Sequence, residues 1–287
     1  GEKKVNYYSG INNFNIYIFN LTQIYGQIKV AYLGDTPYNI QEDSLEQFNN
    51  IARTLLLYDR IGVPTPWISG NYEDLYAYRA AFHKLDDELE NVNDMSNERK
   101  YTFRKNGIEL DLFFIPGSRD FSRGFIVADD AETGQYAAQH GQIYVFNPND
   151  MEELITSPEK TIVFAHSPIK MGRDKTFDLS MRVDYEGEEI AGPSAHRLVR
   201  EGKAKPKFVH VGNELVGEII DRLGVKKYVS GDIHEAAFTT DRSGETVGYG
   251  IPSPELFSNP GAAVDGKYGV LVYRDDGLAY MESKSIR

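Results

Sequence analysis

At 287 residues, with 41% apolar and 26% charged side chains, the chain has enough apolar material for a packed core and too much for disorder. Its formal charge of −12 excludes loose, sequence-independent nucleic-acid binding, which depends on Lys and Arg neutralising phosphates. The lack of cysteine excludes disulfide frameworks, thiolate zinc sites and cysteine nucleophiles.

In chain order, the alternation Phe14-Asn15-Ile16-Tyr17-Ile18-Phe19 predicts a first strand, and Ile28 to Leu33 a second that ends at Gly34-Asp35. Leu45, Phe48, Ile51, Ala52, Leu55 and Leu56 follow a helical spacing between Asp43 and Ile61. Asp43 or Ser44 caps its start, and Gly62 followed by Pro64 stops it. Val63 to Ser69 then reads as a strand delivering Gly70-Asn71, the strand–helix–strand pattern of an open α/β sheet. Residues 73–92 read as a polar helix whose Asp86-Asp87-Glu88 run is a solvated face. Asn106-Gly107 between two apolar runs predicts a hairpin, because that pair supplies the positive φ angles of a type I′ turn. Residues 116–142 and 170–206 show little periodicity and are expected to be surface excursions. Thr161 to Ala165 reads as a buried strand delivering His166, Asn213 to Leu223 as a helix, and Val225 to Ser230 as a strand arriving at Gly231. Tyr268 to Glu282 closes as a hairpin.

Four motifs end apolar runs in this order: Gly34-Asp35, Gly70-Asn71-Tyr72-Glu73, Ala165-His166-Ser167-Pro168 and Gly231-Asp232-Ile233-His234. Asn259-Pro260-Gly261 follows them. Singly, Gly-Asp and Gly-Asn are ordinary turn chemistry, and His166 is as readily a core histidine as a ligand. Together they resemble the calcineurin-like metallophosphoesterases, which hydrolyse phosphoesters with a pair of divalent metals. The resemblance runs from about Phe14 to Ile286. It implies an α/β (α+β) fold, a four-layer αββα sandwich forming one domain over 1–287, with its site on loops at one end of the sheets.

The same resemblance implies that Asp35 bridges two metals and that Asn71, His166 and Asp232 complete the second metal's ligands, Asp232 standing where the family has histidine. His234 implies a ligand to the first metal. That subsite is incomplete: the family opens with an Asp-x-His pair, and no Asp or His precedes Asp35. Asn20 and Thr22, the nearest strand-end candidates, are weak ligands, and the stretch from Asn20 to Asp35 is short for a crossover helix. Tyr72 occupies the place of the leaving-group acid. A phenol titrating near 10 transfers a proton slowly at neutral pH, and removing a general acid costs roughly 10²- to 10⁴-fold in rate.

The expectation is therefore a metallophosphoesterase scaffold, inactive or much weakened, kept as a binding or assembly module. Its partner is a protein or a phosphorylated small molecule or nucleotide. The alternative is a Mn/Fe-dependent phosphoesterase acting on a phosphodiester or nucleotide. The cofactor is Mn²⁺, Fe²⁺ or Mg²⁺ at one subsite, or none. No segment approaches the roughly 20 apolar residues that span a bilayer, and no basic region precedes an apolar core at the N-terminus, so no membrane contact and a cytoplasmic location are expected. Gly261 to Tyr268 mimics a phosphate loop, but Tyr268 replaces Ser/Thr and a strand follows. Arg197, Arg200, Lys203, Lys205 and Lys207 read as a solvated face. His83, His140 and His196 read as surface residues, and His210 as one that approaches the site.

Overall fold

The computed structural model describes residues 31, 43–71, 73–105, 108–118, 125–127, 144–173, 176–233, 237–261 and 267–285. Apart from Ala31, the two predicted N-terminal strands lie outside these residues, as do Asp35, Tyr72, His140 and His234. Helix α1 (Ser44–Asp59) starts where the Asp43 side chain accepts from the Glu46 N–H at 2.8 Å. Strand β1 (Thr65–Trp67) follows, then helix α2 (Leu75–Leu85), whose first amides are capped by Asp74. The helix expected over 73–92 ends early for a tertiary reason. One oxygen of Asp59 accepts from the N–H groups of Glu90, Asn91 and Val92, drawing the chain into β2 (Val92–Asp94), which runs parallel to β1.

A short helix α3 (Met95–Glu98) leads into the hairpin of β3 (Lys100–Lys105) and β4 (Ile108–Ile115), in which Lys105 faces Ile108 across the two-residue connection the Asn-Gly pair predicts. Then come β5 (Phe125–Val127) and β6 (Tyr144–Phe146), parallel to each other, helix α4 (Asp150–Leu154) and β7 (Thr161–Ala165). Next are β8 (Leu179–Tyr185), β9 (Glu188–Ala191), α5 (Gly192–Arg200), β10 (Lys207–His210) and α6 (Glu214–Leu223). The chain continues through β11 (Lys227–Ser230), β12 (Phe238–Thr240) and β13 (Leu256–Asn259) to the hairpin of β14 (Lys267–Tyr273) and β15 (Ala279–Ser285).

Six strands form the main sheet in the order β12-β13-β11-β7-β4-β3. The inner four are parallel, and an antiparallel strand closes each edge. Alternate residues of a strand face opposite sides, and here both sides are packed. Phe113, Val163, Ala165 and Tyr228 lie with Val216, Ile219 and Ile220 of α6. Phe114 and Phe164 meet Ile68 and Met95 on the other side, where Val229 and Leu256 also meet Ala279 and Met281 of β15. Trp67, one residue before Ile68, points away from the main sheet into a core with Ile51, Leu55 and Tyr78 of α1 and α2. The layers therefore run helix, sheet, sheet, helix, and the fold is α+β. Each such side chain contributes about 1.5–3 kcal/mol on burial.

Residues 170–206 are not a structureless excursion. They build most of a three-stranded antiparallel sheet, order β10-β8-β9, with α5 packed on it through Ala195 and Leu198 against Met181 and Val183. The hairpin turns on Glu186 and Gly187, at φ 54° and 87°. That pair lacks the Asn-Gly signature, which is why periodicity alone did not expose it. The stem of this unit stacks on the segment after β7: a Cβ on Gly212 would sit 2.2 Å from the Ile169 carbonyl carbon, so only glycine fits. Among the described residues no helix is long and apolar enough to cross a membrane.

Candidate metal centre

Because β4, β7, β11 and β13 are parallel, their carboxyl ends reach one edge of the main sheet, the position where open sheets bind ligands. Backbone pairing continues past the strands: the His166 N–H donates to Ile115 O at 2.9 Å, and the Gly231 N–H to His166 O at 2.9 Å. The ladder thus places His166 and Gly231-Asp232 side by side. Residues 68–71, continuing from β1, join the same edge, with the Gly117 N–H donating to Ser69 O at 2.9 Å.

His166 is buried, 1% exposed, and its Nε2 lies 3.2 Å from Asn71 Oδ1 and 3.8 Å from Asp232 Oδ1. The Ser167 hydroxyl is 3.3 Å from both Asp232 Oδ2 and Gly117 O. Ser167 O in turn accepts from the Tyr228 hydroxyl at 2.8 Å; burial pushes that phenol far up, so it stays a donor.

Asp232 has φ 62°, in the left-handed region, and the Ile233 N–H donates back to Gly231 O at 2.8 Å across it. An aspartate rarely sits there without support. The fully buried Asn259, ending β13, supplies that support. Its Nδ2 donates to Gly231 O at 3.0 Å and to Ile233 O at 2.8 Å, while its Oδ1 accepts from the Gly261 N–H at 2.8 Å. Asn71 is carried on an extended strap. Glu73, fully buried, accepts from the Gly70 N–H at 2.8 Å, and Ser96 Oγ accepts from the Ser69 N–H at 3.1 Å.

Three of the sequence-derived ligands, Asn71, His166 and Asp232, are thus brought together; Asp35, Tyr72 and His234 lie outside the described residues. Among the described residues no group of three or more His, Cys, Asp or Glu gathers, since Asn71 belongs to none of those types. The donor set nevertheless fits one divalent cation. An imidazole nitrogen, an amide oxygen and a carboxylate converge, a mixed nitrogen and oxygen set of the kind such cations take. His210 does not join this cluster. Its Nδ1 lies 3.1 Å from the buried carboxylate of Asp178, which also accepts from the Met171 N–H and the Thr176 hydroxyl. His83 and His196 are exposed, and Lys203 and Lys207 pair with Glu201, Asp184 and Glu189 on a solvated face. Sequence reasoning quoted Ser167 and Asn259 within motifs but missed the contact of Ser167 with Asp232, the part of Tyr228 and the clamp made by Asn259. The Asn-Pro-Gly triplet at the end of an apolar run was the available signal for the last.

No family model matches the sequence, and no curated protein does. Among solved structures the chain is similar to the protein TT1561 of Thermus thermophilus, with 13% identity and a TM-score of 0.54 over 97% of this chain and 93% of that one. A second crystal structure matches at 10% identity with a TM-score of 0.55, covering 93% and 91% of the two chains. At such identities the likeness shows a shared fold alone.

Proposed function

We propose that this chain is a metallophosphoesterase-type protein that holds one divalent cation at Asn71, His166 and Asp232 and binds a phosphoester there, with hydrolysis lost or much slowed. The observation that carries this reading is the meeting of those three donors from three chain segments, Asn71 Oδ1 and Asp232 Oδ1 lying 3.2 and 3.8 Å from His166 Nε2. Asp35 is the fourth ligand in this reading, and His234 belongs to the incomplete second subsite. The oxygen-rich set suits Mn²⁺, Fe²⁺ or Mg²⁺. When bound, such a cation supplies Lewis-acid polarisation of a phosphoryl oxygen and a more acidic water.

The chain's own residues support binding better than turnover. Ser167 and Asn259 hold Asp232 in place, and the strap under Glu73 holds Asn71. Tyr72 is a poor proton donor near neutral pH, and no Asp or His stands between Gly1 and Asp35 to serve the first subsite. Retention as a binding module, for a protein partner or a phosphorylated small molecule or nucleotide, follows from both losses.

Calorimetric titration with Mn²⁺ on the wild type and on His166→Ala tests the reading. Micromolar binding that disappears in the variant supports it; no binding in either overturns it and leaves a vestigial site. Mn²⁺-dependent cleavage of a phosphodiester that vanishes in Asp35→Ala would move the protein to the hydrolase reading.

A further inference from the structure

We infer that Asp94, acting through Tyr78 and Ser96, positions the strap that carries Asn71, so that a buried relay of hydroxyls sets how tightly the site holds its cation. This rests on the ligand role proposed for Asn71. Tyr78 and Ser96 are fully buried, beneath the strap and away from the main sheet's edge. The Tyr78 hydroxyl donates its one proton to Asp94 Oδ1 at 2.7 Å. Its 3.0 Å contact with Ser96 Oγ therefore requires the serine to be the donor. Ser96 Oγ in turn accepts from the Ser69 N–H at 3.1 Å. All three protons point towards the carboxylate, and hydrogen bonds ordered in one direction strengthen one another.

The carboxylate is built for that role. Asp94 Oδ1 also accepts from the Ser96 N–H at 2.9 Å, Asn97 Nδ2 reaches Oδ2 at 3.4 Å, and the positive charge of Arg99 lies near it. At the other end, Ser69 stands two residues before Asn71. With the Ser69 amide held by Ser96, its carbonyl by Gly117 and the Gly70 amide by Glu73, little freedom is left to the ligand oxygen. Packing alone does not call for a hydroxyl at Tyr78. Its ring meets Phe82 at 5.0 Å in an apolar core, where phenylalanine would pack as well. Burial also pushes the Tyr78 phenol up, which keeps the relay's proton on the ring.

Tyr78→Phe removes the middle link and keeps the ring. Mn²⁺ titration of this variant is expected to give about tenfold weaker binding, as for other residues that orient a metal ligand from behind. Ser96→Thr, which retains the hydroxyl, is expected to keep the wild-type affinity. In an Asn71→Ala background Tyr78→Phe is expected to cost nothing further, because its effect passes through Asn71. An equal loss in both backgrounds overturns the inference, since a merely structural role would add. Amide hydrogen exchange supplies a readout independent of any cation. Ser69 and Gly70 are expected to lose protection in Tyr78→Phe while Val163 in β7 keeps its own, and a uniform change or no change counts against the relay. If the wild type takes up no Mn²⁺, the proposed function fails and the exchange measurement alone decides the relay.

Discussion

Asn71 and Asp232 approach the same histidine from opposite sides, and they are held there by different means. Asn71 rides on a strap with no left-handed residue, its neighbouring amides caught by the side chains of Ser96 and Glu73. Asp232 sits in the left-handed region itself, and the strain is contained by one asparagine that donates to the carbonyls on both sides of it. The strap is held by a chain of groups, each loss of which is graded. The turn's backbone is held by one side chain, Asn259, with Ser167 reaching only the Asp232 carboxylate, so its failure is abrupt. A carboxylate on a strained turn is also poised to move, because releasing it returns of order 1 kcal/mol or more.

The largest effect should come from Asn259→Ala. It strands the Ile233 carbonyl, removes one of two donors to the Gly231 carbonyl and frees the Gly261 N–H, and urea unfolding is expected to show a loss of about 2–3 kcal/mol. A loss below roughly 0.5 kcal/mol, the size of an ordinary surface change, would mean the turn supports itself and erase the contrast. Ser96→Ala should follow at about 1–2 kcal/mol, because it leaves the buried Ser69 N–H without its acceptor. If it costs more than Asn259→Ala, the strap is the brittle side. Asp232→Gly, by contrast, is expected to raise stability in the absence of added metal by about 1 kcal/mol while abolishing cation binding. A thermal melt with EDTA reads the first part; a destabilised glycine variant would show that Asp232 is not strained.

The smallest effect is in pH dependence, where two carboxylates should behave oppositely. Burial, the largest influence, raises the Asp94 pKa, and the hydrogen bonds from Tyr78 and Ser96 and the charge of Arg99 only partly offset it. A raised pKa means that the folded chain holds this proton more tightly than the unfolded one. The contribution is complete below the ordinary carboxylate value near 3.9 and is lost as pH rises through the raised one. Asp111, across the sheet in β4, has the reverse sign. Burial raises its pKa, but hydrogen bonds from Lys100 and Thr102 and the charges of Lys100 and Arg104 together leave it lowered. Its contribution is present above about 3.9 and lost as pH falls through the lowered value. Melting curves of Asp94→Asn and Asp111→Asn between pH 3 and 6 should diverge from wild type in opposite directions. Parallel shifts would remove Asp94 as a specially placed carboxylate.

Much of the main sheet was legible because local chemistry and burial agree there. Thr161 to Ala165 is a continuous apolar run, Asn106-Gly107 dictates a two-residue turn, and Asn213 is followed by a helical spacing; β7, the β3–β4 hairpin and α6 appear where expected. Residues 86–92 were misread because their polar run continues a helical pattern, whereas Asp59, 31 positions from Glu90, captures the backbone. The β8–β9 hairpin was missed because its turn residues carry no strong preference and its strands are stabilised by α5. At the centre, Asn71, His166 and Asp232 were read from motif order, and the same motifs contain Ser167 and Asn259, but the roles of these two and the Tyr78 relay were not read, because each acts through contacts between distant segments.

The sequence by itself determined most strands and helices of the main sheet and the residues delivered at their ends, since apolar period and cap chemistry are local properties. Tertiary structure decided which ends meet. Parallel pairing of β4, β7, β11 and β13 turns separate motifs into one cluster, and around it the Asn259 amide, the Glu73 carboxylate and the Ser96 hydroxyl find the partners that desolvation asks of them.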